Sequence, residues 1–250
     1  MSKTDELEKS WKPGIYKNYS SLFKTEVNKD SYSQFIPYAN YIAKNYLPKD
    51  QGVFILDIGC GLGGFTWAIA LAGYENIEGV DISEESIRSA HAFGIDKVKQ
   101  GDIFTYLESA HDESIDVVLC LDVLEHFTKE EGIRLLLEVK RVLKADGRII
   151  IHVPNAEGIF GSKIRYADFT HETAFTPKSI SQLLQFVGFG TVHCFEDKPI
   201  VHGLVSGVRR LLWSLVTWLF RFIHAVETGS FNVKLSQNIL VVAFKEIPRQ

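Results

Sequence analysis

Three apolar runs rich in β-branched residues, "VFILDI" at 53–58, "IDVVLCL" at 115–121 and "GRIIIHV" at 147–153, constrain this chain more than anything else in it. Such runs, lacking polar alternation, read as strands covered on both faces, the condition of a parallel sheet. Shorter runs, "IEGV" at 77–80 and "KVKQG" at 97–101, lie between the first two. Helical patterns fill the gaps: Phe65 to Ala72, Glu84 to Phe93 behind a capping Ser83, and Lys129 to Leu143 with Ile133, Leu136, Leu137, Val139 and Leu143 on its apolar side. Strand alternating with helix means right-handed crossovers and a doubly wound, Rossmann-like α/β sheet.

Downstream, an irregular segment at 154–176 is the expected substrate loop. It leads to a helix from Pro177 to Val187, ended by "GFG". Two last strands follow, "TVHCFED" at 191–197 and "NILVVAFKEI" at 238–247, separated by an insertion at 198–237 that is too long for a hairpin loop. Within it, "GLVSGVRRLLWSLVTWLFRFIHAV" at 203–226 repeats apolar residues at helical spacing, and Arg209, Arg210 and Arg221 occupy other positions. The uncharged stretch between Arg210 and Arg221 has 10 residues, short of the roughly 20 that span a bilayer. With Trp213 and Trp218, this helix suits peripheral membrane contact, a homodimer interface or a cap on the substrate pocket. Residues 1–50 are expected to form an N-terminal helical cap in which Pro37 breaks or kinks the helix, and 51–250 the main domain. The opening "MSKTDELEKSWKPG" has no apolar core, so neither a signal peptide nor an anchor is expected there.

At 250 residues and 46% hydrophobic, the chain has the length of one globular domain. Its net charge of −4 offers no basic excess to neutralise phosphates, so no nucleic-acid partner is expected. Three well-separated cysteines, Cys60, Cys120 and Cys194, fit a reducing, cytoplasmic setting.

Open parallel sheets bind ligands at the carboxyl ends of their strands. At the first of these lies "LDIGCGLGGFT", 56–66, which admits two readings. Gly59, Gly61 and Gly64 fit the dinucleotide fingerprint G-x-G-x-x-G, and Asp57, Gly59, Gly61 and Gly63 fit a different nucleotide loop. Asp81, 24 residues after Asp57, serves either one by accepting ribose hydroxyls. A carboxylate at Asp57 would repel a pyrophosphate and favour a cationic sulfonium and ammonium, as in S-adenosylmethionine. In "QGDIF", 100–104, Asp102 can accept from an adenine amino group while Ile103 stacks on the ring.

At this point the chain resembles the class I S-adenosylmethionine-dependent methyltransferases over about residues 53–153, with "LDIGCGLGG", "GVDIS", "QGDIF" and "DVVLCLDVLEHF" standing as its first four motifs in order. The resemblance implies a seven-stranded, mostly parallel sheet with an antiparallel last strand and a helical insertion before it. It also implies S-adenosyl-L-methionine as cofactor, with Asp57, Gly59, Gly61 and Gly63 along the methionine moiety and Asp81 at the ribose. Ile82 is counted with the cofactor residues, Asp102 and Ile103 hold the adenine, and Leu121 lies by the sulfur. The rivals are a nicotinamide oxidoreductase and a non-catalytic binding module.

Methylating a hydroxyl requires removing its proton, and histidine titrates in the useful range. His126 follows the fourth strand in "LEHF". His171 lies in "YADFTHETAFTP", 166–177, a stretch similar to one in methyltransferases of bacterial polysaccharide and lipid-linked sugar biosynthesis. Both are candidate catalytic residues, and Tyr166 and Asp168 of the same loop are candidate substrate contacts. The expected acceptor is a hydroxyl of a sugar or lipid-linked glycan, and the alternative is a quinone-like ring hydroxyl or a nitrogen. The other six histidines, His91, His111, His152, His193, His202 and His224, show no metal-ligand spacing with each other or with the cysteines, so no metal is expected.

Overall fold

In the computed structural model, which describes residues 11–12, 14–16, 19–22 and 28–246, the apolar runs become strands whose successive side chains feed two different cores. Leu56, Ile58, Val118, Cys120, Ile149 and Ile151 join one buried cluster, while the intervening Ile55, Val117, Leu119 and Ile150 join another. That alternation explains the unbroken hydrophobicity of the runs, because both faces of the sheet are covered.

The strands are β1 (Ile55–Ile58), β2 (Ile77–Asp81), β3 (Val98–Gln100), β4 (Ile115–Leu121), β5 (Leu143–Pro154), β6 (Val192–Glu196) and β7 (Asn238–Phe244), in the order β3-β2-β1-β4-β5-β7-β6. Pairings from β3 to β5 are parallel, and β7 runs antiparallel between β5 and β6. This is the sheet expected from the sequence, last strand included. Between β1 and β4 the order reverses, so the loops after these strands bound the crevice where ligands settle.

The helices are α1 (Tyr19–Leu22), α2 (Lys29–Ser33), α3 (Ile36–Tyr46), α4 (Gly64–Leu71), α5 (Glu84–Ala92), α6 (Ile103–Ser109), α7 (Lys129–Val142), α8 (Gly161–Arg165), α9 (Pro177–Phe186) and α10 (Leu204–Thr228). Helices α6, α7 and α9 cover one face, burying Leu107, Leu135, Leu136, Val139, Ile180 and Leu184, and α3 and α4 cover the other with Ile42, Phe65 and Ile69. The start of α7 is fixed by a capping box, in which Glu131 N donates to Thr128 Oγ1 at 3.3 Å and Thr128 N to Glu131 Oε2 at 2.9 Å.

The break expected at Pro37 is present: α2 ends at Ser33, and Pro37 sits in the first turn of α3, where a missing N–H costs no helical bond. One expectation needs correcting. Strand β3 stops at Gln100, so Asp102 does not end a strand but caps α6, a helix that sequence patterning left out. The insertion helix α10 leaves its apolar stripe exposed, as membrane or dimer contact would require. Its buried residues are Ser206 and Thr217, whereas Leu204, Val208, Leu211, Leu215, Leu219, Phe222 and Val226 are exposed. Arg221 turns inward to both carboxylate oxygens of Glu196, at 2.7 and 2.8 Å, and Arg210 donates to Pro199 O at 3.2 Å. Among the described residues no helix is long and apolar enough to cross a membrane. The first ten residues, and with them most of the charged N-terminal stretch, lie outside the described residues.

Candidate active site

The loop after β1 is shaped by glycines in left-handed conformation, with φ of 70° at Gly59, 53° at Gly61 and 71° at Gly63. The reasons for glycine differ. A Cβ on Gly59 would overlap Val123 Cγ2, and one on Gly63 would press on Val98 Cγ1 at 2.8 Å, but one on Gly61 would meet nothing within 4 Å. Gly59 and Gly63 therefore let the loop pack down, and Gly61 leaves its outer face open to a ligand. Gly64 contacts Phe35 and takes no part in that opening, so the G-x-G-x-x-G reading through Gly64 describes packing.

Asp81 stitches the loop to β2: its Oδ2 accepts from Gly61 N and its Oδ1 from Ser83 N, both at 2.8 Å. Each oxygen retains a lone pair for a ribose hydroxyl. Burial raises the Asp81 carboxyl above its ordinary range, opposed by the two amides. Asp57 lies beneath the loop, 2% exposed, with Thr66 Oγ1 donating to its Oδ2 at 2.6 Å. Burial, reinforced by the charge of Asp81 and opposed by Thr66, pushes its carboxyl up to about 7. Asp57 is thus a buried anion in waiting, which a nearby cation would hold ionised. An open glycine cradle over one buried and one half-buried carboxyl fits a nucleoside carrying a sulfonium and suits a pyrophosphate poorly. Asp102 Oδ1 accepts from Thr105 N at 2.9 Å as the cap of α6, beside an exposed Ile82 and a half-buried Ile103. Gly101 N donates to Asp81 O at 2.9 Å, so the ends of β2 and β3 carry Asp81 and Asp102 side by side.

On the far side of the crevice, the turn Leu124–His126 after β4 meets the 154–176 loop. His126 and His171 come together with ring centroids 4.7 Å apart. Thr170 Oγ1 donates to Asp168 Oδ1 at 2.7 Å, so its contact with His126 Nδ1 at 2.8 Å is one in which the imidazole donates. His126 Nε2 then carries the lone pair. Burial, together with His171, lowers His126 to about 4 and keeps it neutral. Glu125 is 1% exposed, and burial and the charge of Asp122 raise its carboxyl to about 8. Over this group lies the N-terminal segment: Tyr16 packs edge-on against His126, Trp11 against Phe169, and Lys12 Nζ pairs with Glu172 Oε1 at 3.0 Å.

Both candidate catalytic histidines therefore reach one place. Of the two candidate substrate contacts, Asp168 is buried in an Asx-turn with Thr170 N at 2.8 Å, and Tyr166 is 79% exposed beneath the Arg165 guanidinium. Leu121 pairs in register with His152, and their strand ends carry a cluster that sequence reasoning missed. His152 Nδ1 lies 2.7 Å from Asp122 Oδ1 and its Nε2 3.2 Å from Asp197 Oδ2. Burial alone would lower His152, but Asp122 and then Asp197 outweigh it and hold the imidazole protonated, well above its ordinary value. Asp122 adopts φ 56°, unusual outside glycine, and 59% of its side chain stays open, as in a residue that lines a cleft. The available signal was a lone polar residue near the end of "RIIIHVP", in a strand otherwise buried.

Comparison with known proteins agrees with this geometry. Residues 56–151 match the methyltransferase domain family. A ubiquinone biosynthesis O-methyltransferase of Idiomarina loihiensis is 29% identical over 140 residues, 54% of this chain and 56% of that protein. An uncharacterised protein of Methanocaldococcus jannaschii is 31% identical over 156 residues, 60% of this chain and 69% of its own length. The match thus spans about half of the O-methyltransferase. Among solved structures, a S-adenosylmethionine-dependent methyltransferase from Archaeoglobus fulgidus superposes with a TM-score of 0.64 at 22% identity, over 90% of this chain and 97% of that one, a likeness of fold. With the sheet order, the glycine cradle and the strand-end acids, these matches show a methyltransferase domain over residues 56–151, set in the class I fold for which S-adenosylmethionine is the cofactor.

Proposed function

We propose that this chain transfers the methyl group to a hydroxyl of a small-molecule acceptor seated between the Leu124–His126 turn and the 154–176 loop. The observation that carries this reading is the pairing of His126 and His171, 4.7 Å apart, beside the end of β4. S-adenosylmethionine supplies an electrophilic methyl group when bound. Asp81 holds the ribose, Asp102 and Ile103 the adenine, and the Gly59–Gly63 loop the methionine end, so that the acceptor needs only orientation and loss of a proton. Activation of the hydroxyl falls to the cluster of His126, His171 and Glu125. The imidazolium of His152 serves as a fixed hydrogen-bond donor, because two carboxylates keep it charged.

A hydroxyl on a lipid-linked sugar is the acceptor that the "DFTHETAFTP" loop supports, and a ring hydroxyl the one that the name of the Idiomarina relative supports. Methyl-labelled cofactor offered with lipid-linked saccharides and, separately, with catechol-type rings tells them apart by which product carries base-stable label in an ether. Label on nitrogen acceptors alone would refute the hydroxyl reading.

We propose further that α10 lies in the plane of a lipid surface. Its outward face carries apolar side chains from Leu204 to Val226 with Arg209 exposed at the edge, and Trp218 stacks on Phe222 at 6.2 Å there. A lipid surface covers such a stripe without matched packing, whereas a stable dimer needs about 800 Å² of complementary surface per partner. Leu215→Glu with Leu219→Glu is expected to abolish sedimentation with anionic vesicles. A variant that still sediments, or a wild-type chain that ignores vesicles and dimerises instead, would overturn this assignment.

A further inference from the structure

Glu125, His126 and His171 each offer a ligand atom, and these atoms lie within 4.8 Å of one another. The acids and imidazoles of most surfaces are solvated or paired. Here Glu125 Oε2 and His171 Nδ1 are both buried and, among the described residues, bond nothing. An orphaned carboxylate oxygen and an orphaned ring nitrogen at one point cost stability unless something occupies the space between them. The third member is prepared for the same occupant, because Thr170 fixes the tautomer of His126 and leaves the Nε2 lone pair outward. A ring N–H anchored to a second side chain is the usual support of a metal-bound histidine.

We infer that Glu125, His126 and His171 form a binding site for a divalent transition-metal cation. Two imidazoles and one carboxylate suit Mn²⁺, Fe²⁺, Co²⁺ or Zn²⁺ and are a poor set for Mg²⁺ or Ca²⁺, which favour all-oxygen shells. Ligand atoms 2.1 Å from a cation stand about 3 to 3.4 Å apart, so binding draws the three side chains inward from their present spacing. Three protein ligands leave coordination positions open to water or to the acceptor. Thr170 and Asp168 act as positioning residues: Asp168 takes the Thr170 proton, and Thr170 in turn orients His126.

The role of the cation rests on the proposed hydroxyl acceptor. The acceptor oxygen, bound to the cation, gives up its proton to water and forms its bond to the methyl carbon. The carbon–sulfur bond breaks with its electron pair staying on sulfur, leaving a neutral thioether. Binding of the cation itself does not depend on that role.

The test uses the full chain after treatment with chelator and dialysis. Titration with Mn²⁺, followed by calorimetry and by loss of the free-ion paramagnetic resonance signal, is expected to give one site per chain. Co²⁺ is expected to give a visible absorption band typical of nitrogen and oxygen ligands. His171→Ala and Glu125→Gln should weaken Mn²⁺ binding by 100-fold or more, and Thr170→Val, which touches no cation, by about 10-fold. Each variant is checked for fold by its affinity for S-adenosylhomocysteine, whose residues lie across the crevice. Absence of a stoichiometric site in the wild-type chain, or equal affinity in the ligand variants that keep the cofactor affinity, overturns the inference. Hydroxyl methylation that persists unchanged in chelator overturns the cation's role in the reaction and leaves the acceptor reading standing. A cation that binds as described in a chain that methylates only nitrogen removes the acceptor reading and leaves the site.

Discussion

Replacing Asp57 with asparagine should stabilise the cofactor-free protein at pH 8 and do so far less at pH 5. The Asp57 carboxyl rises from 3.8 in an unfolded chain to about 7 in the fold. At 1.36 kcal/mol per pH unit, that difference corresponds to about 4 kcal/mol. Because the folded value is the higher one, the native state retains a proton that the unfolded chain has released, and stability falls as pH rises from about 4 to about 7. Of that loss, about 1.6 kcal/mol is already present at pH 5 and the remaining 2.5 or so accrues by pH 8. Asparagine cannot ionise and escapes all of it. Its amide can still accept from Thr66 Oγ1, but it replaces the second carboxyl oxygen by an N–H₂, a change expected to cost about 1–2 kcal/mol at every pH. Asp57→Asn minus wild type should therefore grow by about 2.5 kcal/mol between pH 5 and pH 8, or about 5–10 °C in Tm for a chain of this size. Thermal unfolding of both proteins at four pH values, without cofactor, measures it. Parallel profiles would show that Asp57 does not hold its proton in the fold. Affinity for S-adenosylmethionine should move the other way if, as proposed, the Asp57 carboxylate faces the sulfonium.

Other perturbations have similarly local causes. Asp81→Ala and Asp102→Ala should each weaken S-adenosylhomocysteine binding by about 1–3 kcal/mol through lost hydrogen bonds, read by calorimetry; unchanged affinity in both would dismiss these residues from the cofactor site. Gly59→Ala combines a φ of 70° with overlap on Val123, so urea unfolding should show a loss of about 2–4 kcal/mol, whereas Gly61→Ala, with open space around it, should cost less in stability than in cofactor affinity. His152→Gln should lower stability by about 2 kcal/mol near neutral pH by unpairing Asp122 and Asp197. Because the folded value of His152 is raised, its contribution is complete below pH 6.5 and lost only as pH climbs through that higher value, so the two proteins should converge in alkali.

How far the sequence discloses this molecule depends on whether the deciding contact is local. The sheet was legible because a strand buried on both faces must be apolar at every position, and β1, β4 and β5 each announce this within a few residues. The proposed cofactor residues are placed in space for a related reason: Asp57 and Asp81 lie at the ends of strands, and Gly63 and Asp102 open helices, so position along the chain implies position in space. Helix α6 escaped because its seven residues are too few to show a period, although Asp102 ahead of Ile103 and Leu107 is a cap signal in plain view. The acceptor half is set by contacts across the chain. His171 stands 45 residues beyond His126, so no ligand spacing could appear, and the meeting of His152 with Asp122 depends on the register of β5 on β4. Helix α10 marks a different limit. Hydrophobic periodicity established its helicity and its apolar stripe, but a period is indifferent to which side faces the protein. That choice belongs to Ser206, Arg210, Thr217 and Arg221, spaced four, seven and four residues apart along one face, and to Glu196, whose two oxygens receive Arg221. A helix whose polar side is the one bonded to its own domain has its apolar side reserved for something else, and the carboxylate that pins it, Glu196, is the chain neighbour of Asp197, which holds His152 beside the proposed acceptor site.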